Sequence, residues 1–227
     1  ASKDYGRSWS PRKYLPHVPN FPDIVPKERK WHGGRHRGQV CKLKNGNLLI
    51  GTYDRKKQKQ PFECFIWESV DDGVTWSFKA NIFENKDFSL TEPTLFVTPN
   101  GVVYAFMRNM QSSDKLAISF STDNGTSWSK IQFIDIEGHP FNIVGVNNGF
   151  AFVTYALRSS NSSIRGRMLC LKSGVFQKQD LVIKSGAKTR DIGYPVSTFL
   201  GDNTILVVYY WIDDQGTRYI EASKLLI

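Results

Sequence analysis

Ser69-Val70-Asp71-Asp72-Gly73-Val74-Thr75-Trp76 decides the fold, because the chain writes it three times. Ser2-Lys3-Asp4-Tyr5-Gly6-Arg7-Ser8-Trp9 comes before it and Ser121-Thr122-Asp123-Asn124-Gly125-Thr126-Ser127-Trp128 after it. All three obey Ser-x-Asp-x-Gly-x-Ser/Thr-Trp. The carboxylate accepts backbone N–H groups of a tight turn, and Gly supplies the positive φ the turn needs. The hydroxyl closes the turn locally, and the indole is expected to bury its ring beneath it. Recurrence of such a locked corner marks a repeat protein.

Between the corners a second frame repeats. Asn45-Gly46 leads into Asn47-Leu48-Leu49-Ile50-Gly51-Thr52-Tyr53, and Asn100-Gly101 into Val102-Val103-Tyr104-Ala105-Phe106-Met107-Arg108. Asn148-Gly149 and Asp202-Asn203 open two more alternating apolar runs. Each pair is a hairpin signal. A unit therefore reads as inner strand, turn, second strand, third strand, corner, outer strand, roughly 50 residues in all. Four units are read in one domain, 1–227, at about 37–85, 90–136, 140–184 and 190–227 plus 1–15. The third has lost its corner: Leu171-Lys172-Ser173-Gly174-Val175-Phe176 has no Asp. Residues 10–36, Pro-rich and carrying Gly33-Gly34, read as an outer strand and a long loop.

The octapeptide matches the Asp box, or BNR repeat, of the sialidase-like β-propellers, and essentially the whole chain resembles that superfamily. The resemblance implies an all-β propeller of four-stranded antiparallel blades. Asp boxes lie on the outer rim of such propellers and also occur in ones that only bind, so they speak for fold more than activity. Ala1-Ser2-Lys3 begins where Ala222-Ser223-Lys224 leaves off, so the N-terminal strand is expected to complete the last blade. The family has six blades and four are seen here, which favours part of a longer parent over an unusual ring. A further chain or domain would then supply the missing blades.

Composition sets bounds. Thirty Lys+Arg against 21 Asp+Glu leave a formal charge of +9, which serves solubility or attraction to acidic partners such as sialylated glycans. Arg55, Lys56, Lys57 and Lys59 form a basic loop. No helical or zinc-type reading motif points to nucleic acid. No apolar run reaches the ~18 residues of a membrane span. No charged and apolar leader precedes the first box, which leaves secreted, cell-surface and cytoplasmic locations open. Cys41, Cys64 and Cys170 show no metal-ligand spacing, and Cys41 and Cys170 read as buried free thiols. Neither a metal nor another cofactor is expected.

The resemblance also implies a site. Thr91-Glu92-Pro93 opens one blade and Arg108 ends its second strand. Tyr155-Ala156-Leu157-Arg158 ends the equivalent strand of the next, and Asp191-Ile192-Gly193-Tyr194-Pro195 opens the last. Glu, Arg, Arg, Tyr in this order is similar to the later part of a sialidase site. A carboxylate beside the anomeric carbon suits guanidinium forks, and a neutral phenol avoids the repulsion an anionic nucleophile would meet. By resemblance, Tyr194 is the nucleophile, Glu92 its base, and Arg108 and Arg158 the carboxylate clamp. A Tyr194–Glu92 separation of ~2.6–3.2 Å is the expected signature. Arg37 and Arg55 echo the family's early arginines, and Asp54 stands where an acid/base is sought. The Ile-Pro that follows the family's arginine is replaced here by Gly38-Gln39. His17, His32, His36 and His139 show no partner spacing and receive no role.

Plainer readings exist for each residue. Glu92 before proline reads as exposed, Arg108 as paired with a rim acid, Arg158 as one of a run with Arg165 and Arg167, and Tyr194 as core. Three functions follow: a hydrolase of terminal acidic sugars acting through a tyrosyl intermediate, a non-catalytic glycan-binding or adhesion propeller, and a structural part of a larger protein.

Overall fold

The computed structural model describes residues 2, 4–11, 14–20, 34–56, 59–83, 87–111 and 114–227. Ala1, Lys3, Lys57, His32 and Gly33 lie outside them, as does most of the loop read at 10–36. The described residues form strands joined by turns, with one short 3-10 turn at Asn147–Gly149 and no α-helix.

Each box folds as its chemistry dictates. Asp71 Oδ1 accepts the Thr75 N–H at 2.8 Å and Oδ2 the Thr75 hydroxyl at 2.6 Å, while Ser69 Oγ accepts the Gly73 N–H at 2.8 Å. Asp4 and Asp123 repeat the pattern with Ser8 and Ser127. These bonds stabilise the anion, and all three carboxyls fall to about 2. The indoles differ. Trp76 and Trp128 pack partly buried against the sheets, but Trp9 is 72% exposed.

Four antiparallel sheets follow one another as the blades of a β-propeller. The first contains β1 (Arg35–His36), β2 (Cys41–Lys42), β3 (Leu48–Asp54), β4 (Glu63–Ser69) and β5 (Ser77–Asn81), with β1 and β2 both paired to β3. The second runs β6 (Leu90–Val97), β7 (Val103–Asn109), β8 (Lys115–Ser121) and β9 (Gln132–Glu137). In the third, β10 (Asn142–Gly145), β11 (Phe150–Leu157) and β12 (Ser163–Cys170) are edged by β13 (Val175–Phe176) and β14 (Leu181–Ser185). The box lost from this blade is replaced by a plain turn closed by Gly174 N–H on the Cys170 carbonyl. The fourth comprises β15 (Gly193–Gly201), β16 (Thr204–Ile212) and β17 (Arg218–Leu226), three strands among the described residues.

Three apolar layers lie between the sheets. Leu49, Cys64 and Ile66 of the first meet Leu95, Ala105 and Met107 of the second. Phe106 and Leu116 meet Phe141, Ile143 and Tyr155, and Phe152 and Ile164 meet Ile205, Val207 and Tyr209. At about 1.5–3 kcal/mol per fully buried large side chain, these layers dominate the stability. Leu15 and Val18 cover the far face of the first sheet over Phe65 and Trp67. The far face of the fourth sheet leaves Val196, Leu200, Ile220 and Leu226 exposed. The three cysteines are free; Cys41 and Cys64 are buried, whereas Cys170, at the end of β12, is only half-buried.

Candidate functional site

Three inner strands are entered through an X-Pro step: Glu92-Pro93, His139-Pro140 and Tyr194-Pro195. Two of the steps are bulges. Thr91 faces Arg108 and Thr94 faces Phe106, so β6 spends three residues where β7 spends two. Gly193 faces Tyr210 and Val196 faces Val208, the same count in β15. Each bulge carries a non-glycine residue at positive φ, 56° at Glu92 and 49° at Tyr194. An L residue there costs on the order of 1–3 kcal/mol. Bulges re-aim side chains, and these two bring Glu92 and Tyr194 together from different sheets.

Tyr194 Oη donates to Glu92 Oε1 at 2.9 Å, within the reach expected from sequence. Glu92 is buried, not exposed as its plainer reading had it, and Tyr194 is 43% exposed rather than core. Burial and the adjoining carboxylate raise the Tyr194 phenol above its ordinary value, while Arg158 and Arg37 pull against them. The Arg37 and Arg158 guanidiniums stand 5.5 and 5.4 Å from the Tyr194 ring centre, so two cations face one phenol.

The arginines are held by different partners. Arg37 donates to the Phe141 carbonyl at 3.3 Å and the Pro195 carbonyl at 2.8 Å, tying the first blade to the third and fourth. Gly38 explains the missing Ile-Pro: a Cβ there would fall 2.5 Å from the Pro93 carbonyl oxygen. Only glycine lets this segment run against the Glu92 bulge. Arg108 donates Nε to Asp114 at 2.6 Å, with Nη1 3.7 Å from Glu92 Oε2. Arg158 donates Nη2 to the Tyr210 hydroxyl at 2.9 Å, and Tyr210 donates to Asp191 at 2.7 Å. Arg165 and Arg167 belong elsewhere, on Asp180. Arg158 Nε and Glu92 Oε2 are buried without hydrogen-bond partners, which is rare unless a ligand or water completes them.

Asp54 and Arg55 stand apart from this group. Asp54 Oδ1 accepts the Arg55 N–H at 2.9 Å, and the Arg55 guanidinium lies 4.9 Å from the Phe62 ring centre. No contact among the described residues joins either to the Tyr194–Glu92 couple. Sequence reasoning also passed over four residues. Asp114 and Tyr210 orient two of the arginines, and Arg35 stands 5.2 Å from the Phe62 ring centre. His139, given no role, is buried with Nδ1 3.2 Å from Asp114 Oδ2. Its X-Pro step, shared with Glu92 and Tyr194, was the signal available. Among the described residues no group of three His, Cys, Asp or Glu side chains is placed to hold a metal.

A model of the BNR repeat-like domain matches residues 1–207. No curated protein sequence matches the chain. Among solved structures, a Dyadobacter fermentans protein of unknown function is 28% identical with a TM-score of 0.89, covering 100% of this chain and 62% of that one. The NanB sialidase of Streptococcus pneumoniae is 22% identical with a TM-score of 0.70, covering 100% of this chain and 35% of that one. The α-L-arabinanase of Penicillium chrysogenum is 16% identical with a TM-score of 0.64, covering 81% and 61%. The chain thus spans less than two thirds of each. The last two share the fold, and carbohydrate-active enzymes recur among such neighbours.

Proposed function

The chain belongs to the BNR repeat-like domain family, and from that premise we propose that it is a glycoside hydrolase acting on a terminal acidic sugar of the sialic acid type. The Tyr194–Glu92 hydrogen bond, built on two strained and matching bulges, is the observation that carries this reading. Glu92 takes the phenolic proton as Tyr194 Oη attacks the anomeric carbon, and the aglycone oxygen leaves with a proton taken from solvent water. Water then displaces the tyrosyl group and gives up its own proton to solvent, while Glu92 returns the phenolic proton to Tyr194, with net retention. Arg37 and Arg158 lower the cost of negative charge on the phenol oxygen as it leaves its proton. The unmatched Arg158 Nε, with Arg108 behind Glu92, is offered to the substrate carboxylate. Asp54 takes no step in this reading.

Release of the fluorophore from a 4-methylumbelliferyl α-sialoside tests it. Turnover that vanishes in Glu92→Gln supports the assignment; an inert wild-type chain overturns it. A second reading, glycan binding without cleavage, is favoured by one observation: no second carboxylate contacts the couple among the described residues. Sialoside binding with no hydrolysis would select it.

A further inference from the structure

Beside the Tyr194–Glu92 couple lies a second cationic feature that the proposed chemistry does not use. Arg35, in β1, and Arg55, just past the end of β3, both address the ring of Phe62, at 5.2 and 4.9 Å from its centre. Two guanidiniums are therefore held within about 10 Å of each other, separated by an apolar ring rather than by an acid. Neither has a carboxylate within ion-pairing distance among the described residues. The acids of the same hairpin are engaged: Asp54 accepts the Arg55 backbone N–H, and Glu63 stands 3.6 Å from Lys56 Nζ. Both arginines are half-buried, so their positions are limited by packing more than those of free surface side chains.

The feature adjoins the strand that carries Glu92: the Phe62 N–H donates to Ser89 Oγ at 3.2 Å, and the Phe62 carbonyl accepts the Leu90 N–H at 3.4 Å, two residues before Glu92. Arg35 is the cross-strand partner of Tyr53, and the Tyr53 ring packs edge-on against Phe62 at 5.6 Å. Burial, then the charges of Glu92 and Tyr194, push the Tyr53 phenol up to about 12, while Arg35 pulls the other way.

We propose that Arg35, Phe62 and Arg55 form a second anion subsite, which makes the preferred substrate an oligosaccharide carrying a negative group on the unit next to the one bound at Tyr194. The ring holds the two guanidiniums in place, and they offer forked donors for a carboxylate or sulfate. This rests on the acidic-sugar reading of the couple and adds a requirement for a second charge.

Calorimetric titration reads binding, not turnover, with three probes: 3′-sialyllactose with one carboxylate, α2,8-disialyllactose with two, and a chondroitin sulfate hexasaccharide. The unaltered chain is expected to bind disialyllactose about tenfold more tightly than sialyllactose at low salt, a preference that shrinks as salt rises. Arg35→Gln/Arg55→Gln is expected to erase the preference and leave sialyllactose affinity unchanged. Lys42→Gln/Lys44→Gln, which removes the same charge elsewhere, is expected to keep it. If the double variant does not fold, Arg55→Gln alone gives the same direction. Equal affinity for one and two carboxylates in the unaltered chain, or a preference that survives Arg35→Gln/Arg55→Gln, overturns the subsite and leaves the couple's reading intact. If neither sialoside binds, that reading fails. The subsite then stands if the arginine variant weakens hexasaccharide binding about tenfold, and falls if it does not.

Discussion

Replacing Tyr194 with Phe removes one hydroxyl and little else. The ring keeps its place between Arg37 and Arg158 and its 6.1 Å spacing from Tyr210. What disappears is the bond to Glu92 Oε1, and Glu92 Oε2 already has no hydrogen-bond partner. The variant therefore leaves a buried carboxylate with no hydrogen bond at either oxygen among the described residues, facing Arg108 Nη1 at 3.7 Å. A bond to a charged acceptor is worth about 1.5–3 kcal/mol, so a loss near ~2 kcal/mol is expected by urea titration. In a chain of this size that lowers the melting temperature by roughly 4–8 °C. On a fluorogenic sialoside, kcat is expected to fall by at least ~10³ while KM moves only a few-fold, because an attacking atom is lost and the binding surface is not. Turnover within about tenfold of wild type would refute the nucleophile, and unchanged stability would refute the hydrogen bond.

Other expectations concern the frame. Gly193→Ala places a Cβ 2.6 Å from Ala156 Cβ and 3.3 Å from Arg158 Nη2 at a φ of 124°. A loss of about 2–4 kcal/mol is expected, with reduced turnover as Tyr194 shifts, read by urea titration and assay. Thr52→Val strands the buried Trp67 indole N–H, which donates to Thr52 Oγ1 at 2.9 Å, and is expected to cost about 1–3 kcal/mol by the same titration. Asp71, with its carboxyl held at about 2, contributes stability that is present above about pH 4 and lost as pH falls toward 2. Asp71→Asn should therefore flatten that limb of the pH–stability curve followed by circular dichroism.

Turns were legible in this chain because their chemistry is local. Asp71, Gly73 and Thr75 meet within one corner, and Asn45-Gly46 and Asn100-Gly101 each join an inner strand to its partner. Glu92, Arg108, Arg158 and Tyr194 were found by order along the chain, and three sheets bring them into one neighbourhood. Their partners were hidden. Asp114 and His139 are 25 positions apart and meet only once β8 and β9 have folded between them, so no spacing rule could pair them. Arg35 was overlooked because a two-residue strand gives no periodicity. Asp54 ends β3 with its carboxylate accepting the Arg55 N–H, so it is engaged locally and not toward the couple.

The paired bulges have a consequence for how such a chain can diversify. Glu92 and Tyr194 are aimed by an extra residue inside hydrogen-bonded ladders, anchored on both sides by regular pairing. Insertions in the connecting loops, or exchanges of the residues they carry, leave that anchoring untouched. Reactivity is thereby written into the scaffold and ligand preference into its margins, so selection can retune one without renegotiating the other.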